Sequence, residues 1–197
     1  RTESGTLPIV NRASSPFGAG WWLAGFEKLQ FPAGGAILWI GGDGSVRRYE
    51  QAGTLGSQTV YLATPVDGPD SLLYNPGTAQ YSRLLKGGGT VVFNSSGFHI
   101  RTVNRLGYYT EFVPDGQNRP ATINIPPYGS GLSYTFSYGG AAGTLSAVYA
   151  PDTLGGAGRN TTIGTSGARI QSILDPGNAA LLSFAFDPNY TNRIISV

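Results

Sequence analysis

The sequence predicts an all-β chain of stacked antiparallel hairpins, and three observations carry that prediction. Glycine and proline are abundant, at 30 and 13 of 197 residues, while charged residues make up only 12%. Aromatic residues reach 12% and fall in short alternating runs. No window keeps apolar residues at helical spacing over the length an independent helix needs. Many short strands joined by tight turns have this composition, whereas disordered chains are rich in charge and poor in aromatics.

The first element is "SPFGAGWWLAGFEKLQF" (15–31), which holds two of the three tryptophans, Trp21 and Trp22. Its apolar residues Trp22, Leu23, Phe26 and Leu29 approach a helical period, but Gly20 and Gly25 interrupt it. A strand is the expectation, and it would send Trp21 and Trp22 to opposite faces. Next comes "AILWIGGDGSVRRYE" (36–50), two apolar runs around Gly41-Gly42-Asp43-Gly44, with Trp39 on the first. Asp-Gly and Gly-Gly supply the positive φ of tight hairpin turns. "TVYLATPVDG" reads as a further strand. "SLLYNPGTAQYSRLLKGGGTVVFNSSG" reads as strand, Asn-Pro-Gly turn, strand, triple-Gly turn and strand.

From about residue 89 the pattern repeats. The segments 91–103, 110–123, 134–148 and 182–197 each begin with an alternating aromatic strand. Each then passes a Gly, Asp or Asn turn and closes on Ile or Val. A fifth segment, 160–173, keeps the outline without the aromatic. The closing residues Val103, Ile123, Val148, Ile173 and Val197 recur every 20 to 25 residues, the period of an array with one hairpin per unit. The chain therefore divides into a Trp-rich opening segment, 1–88, and hairpin repeats, 89–197, within one structural unit. A lone hairpin is marginal in water, so neighbours must cover its aromatic face. The residues expected to make such contacts are Trp21, Trp22, Trp39, Phe112, Phe136, Tyr138, Phe184, Phe186, Arg119 and Arg193. Arginine outnumbers lysine eleven to two, and Arg101, Arg105, Arg119, Arg169 and Arg193 lie near unit ends. A planar guanidinium lies well across an aromatic ring, so a ladder of Arg–aromatic contacts between units is expected.

These units resemble the YD repeat, also called the RHS repeat, whose pattern is aromatic-x-Tyr-Asp-x-x-Gly-Arg-Leu-x-x-Ile. "FAFDPNYTNRIISV" keeps Phe186-Asp187, then Asn192-Arg193-Ile194, and Val197. "FVPDGQNRPATI" keeps Asp115, Asn118-Arg119 and Ile123, and "FSYGGAAGTLSAV" keeps Tyr138, Gly143, Leu145 and Val148. "VNRLGYYTEF" and "ILDPGNAALLSF" are similar to the family's linkers. The stretch that begins at Ser15 is similar to the Ser-Pro-Phe-Gly-x-Gly-Trp segment that opens RHS regions and leads into Gly-Asp-Gly-Ser hairpins. The Tyr-Asp pair itself is replaced, by Phe186-Asp187, Pro114-Asp115 and Tyr138-Gly139, so no binding role is carried to those positions. The resemblance implies a curved, continuous sheet that serves as wall. In bacterial polymorphic toxins, toxin-complex cocoons and teneurins such arrays form shells that hold or present a further domain. It implies a structural, non-catalytic segment of a surface or secreted protein, building a shell or assembling into a filament. Its partners would be itself, further repeats or an enclosed cargo. Asp175-Pro176-Gly177 is similar to the self-cleaving segment of some members, but another unit follows it, and a linker turn is expected.

The residues support no catalytic constellation. The one histidine, His99, sits in a strand beside Phe98 and Ile100, and no Gly-x-Ser-x-Gly elbow accompanies it. Acidic residues are scattered, with Asp67 and Asp70 in "VDGPD" the closest pair, and a turn is the expectation there. "KGGGTVVF" opens a strand rather than a helix, unlike a phosphate loop. No metal or cofactor is expected. Carboxylate pairs for glycoside hydrolysis meet only in three dimensions, so spacing neither finds nor excludes them. The alternative is a carbohydrate-binding module, in which tryptophans or tyrosines such as Tyr61, Tyr74 and Tyr81 would stack on sugars. A net charge of +2 gives no reason to expect nucleic acid or an anionic membrane. With no cysteine, stability must come from packing. No apolar run is long enough for a membrane helix. The chain begins with Arg1, which predicts a processed product or part of something longer. Low charge with much Ser, Thr, Asn and Gly accords with a secreted or surface protein, and Asn94, Asn160 and Asn189 head N-glycosylation sequons.

Overall fold

The computed structural model describes residues 10–63, 70–126, 132–152, 158–189 and 193–197. It is an all-β fold. Fifteen strands form one sheet in which each strand lies beside the next in sequence, antiparallel in every recorded register. They are β1 (Lys28–Gln30), β2 (Ile37–Ile40), β3 (Val46–Leu55), β4 (Gln58–Ala63) and β5 (Ser71–Asn75). There follow β6 (Gln80–Leu84), β7 (Thr90–Phe93), β8 (His99–Val103), β9 (Tyr109–Pro114) and β10 (Pro120–Asn124). The sheet ends with β11 (Ser133–Ser137), β12 (Ala147–Ala150), β13 (Arg159–Ser166), β14 (Arg169–Leu174) and β15 (Ala180–Ser183). β16 (Ala185–Phe186) and β17 (Ile194–Ser196) make a separate pair. Among the described residues no helix is long and apolar enough to cross a membrane.

One five-residue loop makes seven of the reversals in the sheet. In Asn94–Phe98, the Asn94 N–H donates to the Phe98 carbonyl and the Gly97 N–H to the Asn94 carbonyl. The Asn94 Oδ1 accepts from the N–H groups of Ser96 and Phe98. Gly97 takes φ 82°, so the loop is a turn followed by a left-handed residue. The same backbone pattern closes residues 41–45, 85–89, 104–108, 115–119, 140–144 and 175–179. Its fourth residue is Gly or Asn each time, because only these enter the left-handed region cheaply. The five repeat segments correspond to β7–β8, β9–β10, β11–β12, β13–β14 and β15–β17, one hairpin each. The last is broken, since β15 pairs with β14 while β16 pairs with β17.

The chain packs as two compact units. Unit 1 holds Leu23–Glu111 with the described residues before Arg12, and unit 2 holds Arg12–Trp22 and Phe112–Val197. The units part the chain before Arg12, after Trp22 and after Glu111, so the Trp-rich opening segment itself is split between them. Trp21 and Trp22 lie in no strand and do not alternate between faces of a sheet; turns at Gly18, Gly20 and Gly25 set their directions.

In unit 1 the directly opposed residues build one inner face: Leu29, Trp39 and Arg47; Ile37, Tyr49 and Ala63; Tyr61, Leu72, Arg83 and Val91. Leu29, Ile37, Tyr49, Leu72, Val91 and Phe93 form its apolar core. Each fully buried large side chain there contributes about 1.5–3 kcal/mol. The sheet curls until β1 meets the β7–β8 loop. Lys28 bridges Phe98, and the Leu29 N–H donates to the Gly97 carbonyl at 2.9 Å. In unit 2 the segment 12–22 is laid into the hairpins. Leu145 donates to the Pro16 carbonyl at 2.7 Å and Ala19 to that of Ala168 at 2.5 Å. Phe17, Phe112, Phe136, Leu145, Ile163 and Ile170 are buried.

Candidate functional site

The inner face of unit 1 carries a buried ion cluster. Arg83, on β6, is in phase with the core residues Leu72 and Val91 and is 6% exposed. Such a guanidinium must be paired, and it is held by two carboxylates. Glu27 receives Nη2 at 2.5 Å and Nε at 3.1 Å. Asp70 receives Nη1 at 2.5 Å. The face of the same guanidinium lies 4.4 Å from the Trp39 ring centre, and the Trp39 indole N–H donates to Glu27 at 2.6 Å. Arg47 adds a second cation 3.8 Å from Asp70, so the two carboxylates and two guanidinium groups balance. Tyr49 is fully buried beside them. Burial pushes its hydroxyl pKa up, and the flanking arginines and carboxylates offset one another in part.

His99 is fixed next to this cluster and is wholly buried. Its Nδ1 accepts the backbone N–H of Glu27 at 3.1 Å. Nδ1 is therefore the unprotonated nitrogen, and Nε2 faces Thr102 Oγ1 at 2.8 Å. The ring stacks on Phe26 and packs against Phe93. Burial lowers its pKa from 6.5 to about 3, the nearby Arg83 adds to that effect, and a backbone hydrogen bond at Arg101 opposes it. A neutral imidazole in this setting anchors Glu27 and thereby the start of the sheet.

Unit 2 holds a second charged constellation, between hairpins. Arg119 immediately precedes β10 and pairs with Asp115, its Nε at 2.7 Å. Its Nη1 donates to the Gly143 carbonyl at 2.8 Å, in the loop of the following hairpin. Its guanidinium lies 4.0 Å from the ring centre of Tyr138, and the Tyr138 hydroxyl donates back to the Pro120 carbonyl at 2.9 Å. Burial pushes the Asp115 carboxyl up, but hydrogen bonds from Arg119 and Gln117 outweigh it and hold the pKa below its ordinary value. Tyr138 is raised by burial. Arg169 lies over Phe186 at 5.4 Å, again one hairpin further on, and in unit 1 Arg101 lies over Tyr109 at 5.2 Å.

Of the other residues selected from the sequence, most lie apart from these two sites. Trp39 belongs to the ion cluster. Trp21 meets Phe184 edge-on at 5.2 Å, and Trp22 meets Phe17 at 5.6 Å with Arg12 at 5.7 Å from its ring. All three tryptophans are half-buried. Phe112 and Phe136 are core residues, and Phe184 and Phe186 are half-buried. Arg105 is exposed. Arg193 is exposed and pairs with Asp187 at 3.8 Å. Asn94 is half-buried with its Oδ1 engaged in its loop, while Asn160 and Asn189 are exposed. Asp67 lies outside the described residues. Asp70 pairs with arginine, and Asp175 closes a loop by accepting the Ala179 N–H. Tyr61, Tyr74 and Phe31 all pack on Tyr81, with ring centres 4.6 to 6.5 Å apart and planes tilted by 35° to 56°. Among the described residues no three His, Asp or Glu side chains gather as a metal-binding group.

Glu27 and Arg83 were not singled out from the sequence, and Asp70, expected there only as part of a turn, pairs instead with two arginines. A signal was present: Glu27 and Arg83 stand two residues from Leu29 and Tyr81, in the inward phase of their strands. The residues that meet them are 56 and 13 positions away from Arg83, and no local pattern links them. Both oxygens of Glu27 are taken by Arg83 and Trp39, so the arrangement acts as a brace between β6 and the segment before β1. No protein-family model matches the chain, and no curated protein matches it in sequence.

Proposed function

We propose that this chain is a non-catalytic wall segment, a run of β-hairpin repeats of RHS/YD type from a surface or secreted protein. The observation that carries the reading is the Arg119 clasp. It ties one hairpin's loop to the ring and loop carbonyl of the next, which is what an array needs to propagate. The ion cluster serves the same end in unit 1, since Glu27 and Asp70 are neutralised by Arg83 and Arg47. The curl of β1 onto the β7–β8 loop favours an enclosing shell over a filament, because the Gly97 carbonyl already occupies the outer side of β1.

The carbohydrate-binding alternative draws less support. Arg83 covers a face of Trp39, Trp21 and Trp22 each carry an aromatic neighbour, and the Tyr61–Tyr74–Tyr81 rings are tilted into one another. Sugar stacking needs free, coplanar faces. Electron microscopy of the intact source protein tests the proposal: closed shells with this segment in the wall are expected. Fibres of the isolated chain, or saturable calorimetric binding of an oligosaccharide, would overturn it.

A further inference from the structure

The last hairpin of unit 2 has a surface unlike the others. β15 and β17 are exposed along their whole lengths. Leu181, Leu182, Ile194, Ile195 and Val197 lie there with exposures of 42% to 75%. Such a concentration of uncovered apolar side chains marks an interaction surface. β15 by itself is a blunted edge. Ile173 pairs with Leu182 and Leu174 with Ala180, which leaves Leu181 bulged out of register. Whatever covers this hairpin must therefore be held largely by side chains.

The Arg119 clasp indicates the occupant. Arg119 and Arg193 hold the same slot in their hairpins. The carbonyl of each accepts the N–H of the loop's aspartate, Asp115 at 2.8 Å and Asp187 at 2.9 Å. The guanidinium of each pairs with that aspartate. Arg119 then reaches the Tyr138 ring and the Gly143 carbonyl of the next hairpin. Arg193 leaves 68% of its side chain in solvent, with no ring of the described residues over it. We propose that the β15–β17 surface is a docking face for a β-hairpin of the same repeat type. That hairpin carries Tyr or Phe at the end of its first strand, where the ring lies on Arg193, and presents a loop carbonyl to the Arg193 guanidinium. Its strands cover Leu182 and Ile195. The inference rests on the repeat-wall reading above.

The probe is a backbone-cyclised, fluorescently labelled peptide of residues 134–148, which contains Tyr138 and the loop that Arg119 grips. Anisotropy titration with the full chain is expected to give saturable one-to-one binding. Arg193→Ala and Leu182→Asp each weaken it at least tenfold, as does Tyr138→Ser in the peptide, while Arg105→Ala leaves it unchanged. Thermal melts of the Arg193→Ala chain match the parent, which separates lost docking from unfolding. Absence of saturable binding, or binding that survives Arg193→Ala and Leu182→Asp, overturns the proposal. So does dimerisation in sedimentation that Leu182→Asp abolishes, since a second copy would then be the occupant. A double-mutant cycle of Arg119→Ala with Tyr138→Ser, which removes the ring that Arg119 lies over, keeps the two readings apart. Coupling there without peptide binding removes only the docking face, and no coupling removes the repeat wall as well.

Discussion

Acidification should weaken unit 1 through one residue. The chain has a single histidine, so between pH 5 and 7 no other side chain titrates at an ordinary pKa. Folding lowers the His99 pKa from 6.5 to about 3. Between those values the unfolded chain binds a proton that the folded chain does not, so stability falls as pH falls. From pH 7.5 to 5 the difference is about 1.5 units, or about 2 kcal/mol at 1.36 kcal/mol per unit. With a urea slope of about 2 kcal/mol/M, the unfolding midpoint drops by about 1 M. The assay is urea unfolding followed by Trp39 fluorescence in a Trp21→Phe, Trp22→Phe background. His99→Gln should be less stable at every pH, yet its midpoint should stay level across this range. A parent midpoint that moves less than ~0.2 M between pH 7.5 and 5 refutes the reasoning. An equal pH slope in His99→Gln refutes it too, because the proton would then be bound elsewhere.

Arg83→Met leaves the half-buried Glu27 without its cation and Asp70 with only the more distant Arg47, and should cost about 3 kcal/mol in chemical denaturation. Adding Glu27→Gln and Asp70→Asn should recover a large part of that loss. Gly97 and Gly107 hold nearly the same φ, 82° and 87°, but a Cβ on Gly97 runs into the Leu29 carbonyl while one on Gly107 meets nothing. Gly107→Ala should therefore cost about 1–2 kcal/mol from backbone strain alone, and Gly97→Ala measurably more, by thermal melting. Asp115→Asn keeps a loop acceptor but loses the ion pair with Arg119, for about 0.5–1 kcal/mol, whereas Asp115→Ala loses both and costs about twice that. Because folding depresses the Asp115 pKa, its contribution is present above the ordinary carboxylate range and lost below about pH 4. Asp115→Asn should flatten that part of the acid unfolding curve.

The β-hairpin architecture was legible in the sequence because its causes are local. A left-handed Gly or Asn at the fourth loop position forces the reversal, and alternation then assigns each strand residue to a face. The spacing of Val103, Ile123, Val148 and Ile173 marked the hairpins for the same reason. An Arg–aromatic ladder was foreseeable from residue type, and Arg101, Arg119 and Arg169 take part in it; which ring each meets was not, since the partners lie 8, 19 and 17 residues away. The Trp-rich stretch 15–31 was not legible in this way. Nothing within it says that Gly18 must pack on Ile170, or that Trp21 meets Phe184 while Glu27 turns to Arg83. Those contacts join residues more than 50 positions apart. They exist only because each unit folds distant segments together: in unit 2 the segment 12–22 is laid into the hairpins, and in unit 1 the curl of the sheet brings a buried guanidinium to carboxylates that it selects by position rather than by sequence.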